Sequence, residues 1–221
     1  MDSTRVISAL SPLVTERRLA RMREVLSYRT RHIAVVLEDV YQSHNASAVL
    51  RSCDSFGVQD IYPLEVRNSF RVNPEISLGS GRWLTVHRAP GASVQSRLQE
   101  IRTAGYRIAA TSPHGQALTP SELPLEHPIA LVFGTELDGI TEDVTQVADY
   151  HLRIPMYGFA ESFNISVAVA IVLHVLCERL RSGTVAWRLD REAREALLAS
   201  WLQADVKGAE EVLRRMQEAN A

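Results

Sequence analysis

Short apolar runs that alternate with helical patterns constrain the fold of this chain more than any other feature. Residues 33–37 (Ile-Ala-Val-Val-Leu) and 129–133 are continuous apolar runs of the kind that lies buried on both faces of a parallel sheet. A helical pattern at 46–56 follows the first run and ends at Gly57, a left-handed cap. Repeated alternation of strands and helices indicates βαβ crossovers. The sequence therefore predicts an α/β fold whose mostly parallel sheet is covered by helices on both faces.

The rest of the chain extends the same alternation. We predict further strands at 58–64, 83–87, 106–110 and 151–154. We predict further helices at 93–104, 141–148, 164–181, 191–203 and 207–218. The expected organisation is a helical N-terminal extension (1–31), a sheet domain (32–182) and a helical C-terminal extension (183–221).

The basic residues of the chain are almost all arginines. Of 24 basic residues only Lys207 is a lysine, and they stand against 26 acidic residues for a formal charge of −2. This balance excludes a basic coat over the whole chain but permits a local patch. Arginine suits phosphates and carboxylates because its planar head donates two parallel hydrogen bonds. A genome that favours arginine over lysine everywhere explains the same count without any function.

The N-terminal extension concentrates positive charge. Residues 1–31 contain seven arginines and three acidic residues. Leu19, Met22 and Leu26 recur at helical spacing after Thr15, a suitable N-cap. Three arginines lie largely off that apolar stripe: Arg17, Arg18 and Arg21. The pattern predicts an amphipathic basic helix, which is either a solvated face or an arm that contacts RNA.

The two cysteines and the apolar stretches point to a reducing, aqueous compartment. Cys53 and Cys177 each lie among apolar residues at helical spacing, so both are expected to be small core residues without a disulfide. The longest apolar stretch, 165–177, is shorter than the ~20 residues that a membrane span needs. We see no signal peptide and no group of residues with metal-ligand spacing. We therefore expect a soluble cytoplasmic protein with no metal and no membrane contact.

Polar or glycine-containing loops follow three of the predicted strands, at the sheet edge where α/β proteins bind ligands. The first runs into a helix with Asn45, a candidate cap, and Arg51. The second has Gly134 and Gly139, which permit a positive φ or a close backbone approach to a ligand. It has neither the Gly-Lys-Ser/Thr ending of a P-loop nor the Gly-x-Ser-x-Gly of a serine hydrolase. The third, 154–166, contains the candidate caps Ser162 and Asn164.

Together these loops resemble the motifs of the SPOUT class of methyltransferases, and in particular the TrmH family of tRNA guanosine 2′-O-methyltransferases. The resemblance covers nearly the whole chain and is carried by three motifs in order: Asn45-x5-Arg51, Phe133-Gly134-x-Glu136-x2-Gly139, and Ile154-Pro155-Met156 with Ser162-x-Asn164-x-Ser166. It implies a C-terminal deep trefoil knot, which general folding rules would exclude. It also implies a homodimer in which the predicted helix 164–181 forms part of the interface.

The resemblance further implies S-adenosylmethionine, held in a bent shape within the knot, as the methyl donor. Carried over residue by residue, its contacts are Thr111, Gly134, Ile154, Met156 and Phe163. Loops that offer backbone groups and apolar side chains together suit adenine, which has apolar faces and polar edges.

The implied reaction is transfer of the sulfonium methyl to a ribose 2′-hydroxyl, with Arg51 as the catalytic residue. A hydroxyl is a poor nucleophile until its proton is drawn away, and a guanidinium is almost never neutral, so the proton role of Arg51 stays open. By resemblance Asn45 orients Arg51 or the ribose and Glu136 anchors the site. Ser162 and Asn164 fix the third loop.

The RNA target is expected to be a guanosine in the tRNA D-loop. Two departures from the family pattern bear on this choice: Glu161 and Phe163 in the third motif, and Cys177 where many members have an arginine that binds tRNA beside the one matched by Arg179. Ribosomal RNA is the alternative substrate, and a catalytically silent RNA-binding dimer is the alternative from another class. Retention of the four polar motif residues argues against the silent dimer.

Overall fold

The fold is built on a parallel sheet, as the apolar runs predict. The computed structural model describes residues 2–112, 117–135 and 139–219. In these residues the strands are β1 (Thr30–Glu38), β2 (Val58–Leu64), β3 (Thr85–Val86), β4 (Arg107–Thr111), β5 (Ile129–Phe133) and β6 (Tyr150–Leu152). The strand order is β3-β2-β1-β5-β4-β6, and every neighbouring pair is parallel.

Helices connect and flank the strands. They are α1 (Ser3–Leu10), α2 (Glu16–Ser27), α3 (Ser43–Phe56), α4 (Pro74–Ser77), α5 (Val94–Thr103), α6 (Glu142–Val147), α7 (Ile165–Ser182), α8 (Arg191–Asp205) and α9 (Ala209–Ala219). Short 3-10 turns lie at Ser11–Leu13 and Ser80–Trp83. Of these helices, α1 and α4 are absent from the sequence prediction.

The central strands β1 and β5 lie between two layers of apolar side chains. Along β1, Ile33 and Val35 pack into the layer that contains α3 and α7. Ala34 and Val36 alternate with them and pack into the layer that contains α5 and α6. Side chains alternate faces along a strand, so a strand covered on both sides reads as one continuous apolar run. This confirms the predicted α/β fold with both faces of the sheet covered.

Local signals placed most helix ends correctly. Gly57 ends α3 with a φ of +76°, and Thr15 accepts a hydrogen bond from the Arg18 N–H at the start of α2. Asn164 caps α7 by accepting from the Ser166 N–H. These three predictions are confirmed.

The predicted cap at Asn45 is wrong. Helix α3 begins at Ser43, because the Ala46 N–H already bonds to the Gln42 carbonyl at 3.1 Å, and this places Asn45 inside the first turn. A side chain inside the turn cannot accept from the unpaired N–H groups that a cap serves. The consequence is that the Asn45 amide is left for another partner.

The structure divides into two compact units. One comprises Thr30–Trp187 and holds the sheet. The other combines the residues up to Arg29 with those from Arg188 onward, so the two predicted extensions pack together. In that terminal unit α1 and α2 pack on α8, and the buried Arg29 lies over the Trp201 ring at 5.2 Å.

Both cysteines are buried free thiols, as predicted for core residues. Burial raises the pKa of the Cys177 thiol to about 11, so it stays protonated near neutral pH. Within the described residues, none of the helices combines the length and the apolar character that crossing a membrane requires.

Candidate active site

A cavity of about 450 Å³ opens where β4, β5 and β6 end. Its walls combine the strand ends Thr111, Phe133 and Leu152 with the two loops that follow β5 and β6, and with the first turns of α7. Carboxyl ends of parallel strands share one sheet edge, which explains why loops distant in sequence meet here.

All five residues predicted to contact the cofactor line this cavity. Thr111 and Gly134 come from the ends of β4 and β5, and Ile154, Met156 and Phe163 come from the loop before α7. Ser162 also lines it. The Thr111 hydroxyl donates to the Val132 carbonyl at 2.8 Å, so its position is fixed by the neighbouring strand.

The loop after β5 is closed on itself beside the cavity. Thr135 and Gly139 exchange backbone hydrogen bonds of 2.9 and 3.1 Å, and Gly139 has a φ of +68°. A Cβ on Gly134 would lie 2.0 Å from the Gly139 carbonyl oxygen, so position 134 has no room for a side chain. This confirms the positive φ at Gly139, whereas the close approach at Gly134 is to the backbone of Gly139 in the same chain. Glu136 lies outside the described residues.

A buried carboxylate that the sequence analysis did not select holds this loop in place. Glu38, at the end of β1, is 1% exposed and accepts from the Thr141 N–H at 2.9 Å and the Thr141 hydroxyl at 2.6 Å. Thr141 is the residue at which the loop enters α6. An acidic residue at the end of a buried apolar run was the available signal, because a buried charge requires partners.

Asp39, the residue after Glu38, anchors the segment that follows β2. Asp39 has a φ of +53° and accepts from the backbone N–H groups of Arg67 and Asn68, both at 2.7 Å, and from the Arg67 side chain. Burial acts to raise the pKa of Asp39, but these hydrogen bonds and the charge of Arg67 together hold it below its ordinary value. Asp39 is therefore a carboxylate at neutral pH, and it fixes the chain that follows β2.

The first and third motifs meet in a pair of amides. The Asn164 side chain donates to the Asn45 side-chain oxygen at 3.1 Å, while the Asn164 oxygen accepts from Ser166. Asn45 in turn donates to the Gln42 side chain at 3.2 Å and is 3% exposed. The pair joins the first turns of α3 and α7, and Phe163 and Ile165, on either side of Asn164, line the cavity.

Arg51 is not brought to the cavity within this chain. It follows Asn45 by six residues on α3, which places it about 9 Å along the helix axis and about 120° around it. Its side chain is exposed, and among the described residues it has no hydrogen-bond or ion-pair partner. It is also absent from the cavity wall.

The arginines predicted to bind RNA have different surroundings. Arg18 makes two hydrogen bonds to the Asp205 carboxylate at 2.9 and 2.8 Å, and Arg21 pairs with Glu24 at 2.8 Å. Arg179 donates to the carbonyls of Pro120 and Leu123 at 2.6 and 2.9 Å. Arg17 is exposed, and no partner for it lies within the part of the chain that the structure describes.

The fold is that of a known class of proteins, the SpoU methyltransferases. The Aquifex aeolicus TrmH/SpoU tRNA modifying enzyme superposes with a TM-score of 0.77 at 32% identity, covering 87% of this chain and 98% of that one. The SpoU methyltransferase AviRb from Streptomyces viridochromogenes, in complex with the cofactor AdoMet, shares the fold with a TM-score of 0.58 at 22% identity, over 73% of this chain and 62% of that one.

Sequence comparison gives the family. The profile of the SpoU rRNA Methylase family matches residues 32–174, and the chain belongs to that family. A tRNA (guanosine(18)-2′-O)-methyltransferase from Borreliella burgdorferi is 36% identical over 206 residues, which are 93% of this chain and 94% of the relative.

Proposed function

We propose that this protein transfers a methyl group from S-adenosylmethionine to the 2′-hydroxyl of a tRNA guanosine. The chain is a methyltransferase of the SpoU family, and its relative of nearly equal length is named for this reaction. The observation that carries the proposal is the cavity at the sheet edge, which collects the five predicted cofactor residues beside the paired asparagines of the first and third motifs. The D-loop remains the expected location of the target guanosine.

The cavity fits S-adenosylmethionine in size and chemistry. Its volume of about 450 Å³ lies within the range of small-molecule sites. Phe133, Leu152 and Ile154 supply apolar surface, whereas Thr111 and Ser162 supply polar groups. Glu161 adds an acidic side chain to the lining, which suits the positively charged amino group and sulfonium of the cofactor. When bound, the cofactor supplies the methyl group of its sulfonium.

Residues beside the cavity hold the acceptor ribose. The Asn164 amide donates to Asn45 at 3.1 Å, and since Asn164 is exposed, its second N–H can donate to a sugar hydroxyl. Because Asn164 also caps α7, its orientation is set before substrate arrives. Ser162 and Glu136 keep their predicted roles in fixing the third loop and anchoring the site.

Arg51 acts from a second subunit. Its guanidinium stays charged, so its contribution is to hold the substrate phosphate or the 2′-hydroxyl by hydrogen bonds and to position the oxygen for attack. In one chain it points away from the amide pair and the cavity. A homodimer supplies the missing neighbour, and α7 supports such an interface because its largely apolar first half leaves Val167 46% exposed.

The proposal also includes a trefoil knot and a cytoplasmic location. The chain leaving β6 bonds back to the loop between β4 and β5, since the Arg153 N–H donates to the Leu118 carbonyl and the Leu118 N–H to the His151 carbonyl. This close passage of β6 along that loop supports a deep trefoil knot in the C-terminal part of the sheet unit. A tRNA substrate supports a cytoplasmic location.

The decisive experiment incubates the protein with labelled S-adenosylmethionine and, separately, with tRNA and ribosomal RNA pools. We expect label in tRNA, and mapping of the modified nucleotide should place it on a guanosine 2′-oxygen in the D-loop. Label confined to ribosomal RNA would establish the alternative substrate. Binding of cofactor and RNA without any transfer would establish a silent RNA-binding dimer.

A further inference from the structure

We infer that an arginine cluster beside the first motif binds the phosphates of the substrate RNA that flank the target nucleotide. The cluster consists of Arg51, Arg71 and Arg82. Arg71 and Arg82 lie on residues 65–83, the segment between β2 and β3, which we call the strap. The inference rests on the proposed function, because it names the surface that would receive the RNA.

The strap lies on α3 at two points on either side of the turn that leads to Arg51. The Asn73 N–H donates to the Ser47 hydroxyl at 2.7 Å, and Ser47 precedes Arg51 by one helical turn. A Cβ on Gly81 would lie 3.5 Å from a Leu50 methyl carbon, so the strap also touches the residue next to Arg51. Arg71 and Arg82 each lie within two residues of one of these contacts.

The strap is held firmly enough to present these arginines. Asp39 anchors its start through the Arg67 and Asn68 N–H groups, and the Glu65 carboxylate accepts from the Phe70 N–H at 2.8 Å. Hydrogen bonds from Arg88 lower the pKa of Glu65, against the effect of its burial. Both anchoring carboxylates are thus ionised at neutral pH.

The charged side chains of the strap differ in their surroundings. Arg67 is neutralised by Asp39 and Glu65 by Arg88. Arg71 is exposed and, like Arg51, has no hydrogen-bond or ion-pair partner among the described residues. Arg82 is exposed, and its guanidinium lies over the Trp83 ring at 4.3 Å. An exposed, positioned guanidinium is the group that phosphate oxygens bind with two parallel hydrogen bonds.

Variants that change the charge of these arginines test whether this surface, and not another part of the protein, binds tRNA. The variant Arg71→Gln/Arg82→Gln removes the charges of the two cluster arginines on the strap, and Arg71→Lys/Arg82→Lys keeps them. Arg107→Gln removes a half-exposed arginine at the amino end of β4. Each is compared with the unaltered protein for tRNA binding at several salt concentrations, S-adenosylmethionine binding, subunit number and melting temperature.

We expect the double Gln variant to bind tRNA about tenfold more weakly near 150 mM salt. The slope of log affinity against log salt should fall by about 0.7 to 0.9 for each phosphate that the variant no longer neutralises. KM for tRNA should rise more than kcat falls, and cofactor affinity should stay unchanged. The Lys variant should retain the slope, as should Arg107→Gln.

Three results would overturn the inference. One is an unchanged salt slope in the double Gln variant while the unaltered protein methylates tRNA. Another is an equal weakening of tRNA binding in Arg107→Gln. The third is a change in subunit number that accounts for the weaker binding, which would assign the strap to a protein interface. If the unaltered protein binds tRNA but transfers no methyl group, the proposed activity fails, and the salt slopes still decide the role of the strap.

Discussion

Arg18 in the terminal unit and Arg51 in the sheet unit have opposite surroundings. In the terminal unit the helices are rich in both signs of charge, and arginines such as Arg18 and Arg214 pair with nearby carboxylates. In the sheet unit Arg51, on α3, is exposed without a partner among the described residues, while the groups around the cavity are bonded to one another. We therefore expect an arginine whose charge the fold leaves unpaired to be a better guide to RNA contact than a local excess of positive charge.

Removing the unpaired arginine should have the largest effect. We expect Arg51→Ala to lower kcat by about 10²–10⁴-fold, because the aligned acceptor loses its polar partner, while S-adenosylmethionine affinity and melting temperature change little. Single-turnover methyl transfer to tRNA measures the loss. Full activity in this variant would remove Arg51 from the mechanism.

Mixed dimers test whether Arg51 acts across subunits. When Arg51→Ala subunits are refolded together with subunits altered at Asn164, some dimers should combine an intact Arg51 from one chain with an intact cavity from the other. We expect activity well above that of either variant alone. No recovery in proven mixed dimers would place Arg51 in the site of its own chain.

Disturbing the pair of Asn45 and Asn164 should have the next largest effect on activity. Asn164→Ala removes both the cap of α7 and the hydrogen bond to Asn45, so we expect activity to fall and the free energy of unfolding to drop by about 1 kcal/mol. Asn164→Asp keeps an acceptor for the cap but cannot donate to Asn45. If both variants lose activity and only the first loses stability, the pair serves catalysis separately from the cap. Equal loss of stability would show that the pair is mainly structural.

Removing the Glu38 carboxylate, which holds the loop after β5, should weaken cofactor binding by an intermediate amount. Glu38→Gln and Thr141→Val each break hydrogen bonds that involve a charged group, of the kind worth about 1.5–3 kcal/mol. We expect both to raise the dissociation constant of S-adenosylmethionine, and the double variant to lose less than the sum of the single losses. Calorimetric titration of the four proteins measures this coupling. Strict additivity would mean that Glu38 does not act through Thr141.

The paired arginine of the terminal unit should matter least. Arg18→Ala breaks a partly buried ion pair with Asp205, so we expect a stability loss of about 1 kcal/mol and tRNA affinity close to that of the unaltered protein. The neighbouring Arg17→Ala is the matched control, because Arg17 is exposed and has no described partner. A larger loss of tRNA binding for Arg17→Ala than for Arg18→Ala would show that an unpaired arginine also marks RNA contact in the N-terminal extension. A large loss of tRNA binding for Arg18→Ala would contradict that expectation.

The sequence predicted the sheet and most of the cavity because both depend on local patterns. Buried parallel strands are continuous apolar runs, so the alternation of strands and helices predicted the bounds of β1, β2 and β5 closely. The strand ends mark where binding loops begin, and the residues selected by the motif resemblance in those loops share one cavity. What escaped prediction depends on distant partners. Glu38 and Thr141 are separated by 103 positions, and no local pattern pairs them.

The error at Asn45 has a related cause. An asparagine before an apolar helical pattern is a good cap when the helix starts at the next residue, but here Ser43 and His44 already adopt helical geometry. The side chain is therefore freed to meet Asn164, 119 positions away. The four residues of α4 were also missed, since one helical turn gives too short a pattern to recognise.

Because the terminal unit is assembled from both ends of the sequence, its parts become available at different times during synthesis. Helices α1 and α2 leave the ribosome first, yet the buried surface of α8 against which they pack is made only after the whole of Thr30–Trp187. At common rates of synthesis this delay is on the order of ten seconds. During that interval the apolar stripe of α2, with Met22 and Leu26, lacks its native cover, so we expect α2 to expose apolar surface until α8 is made.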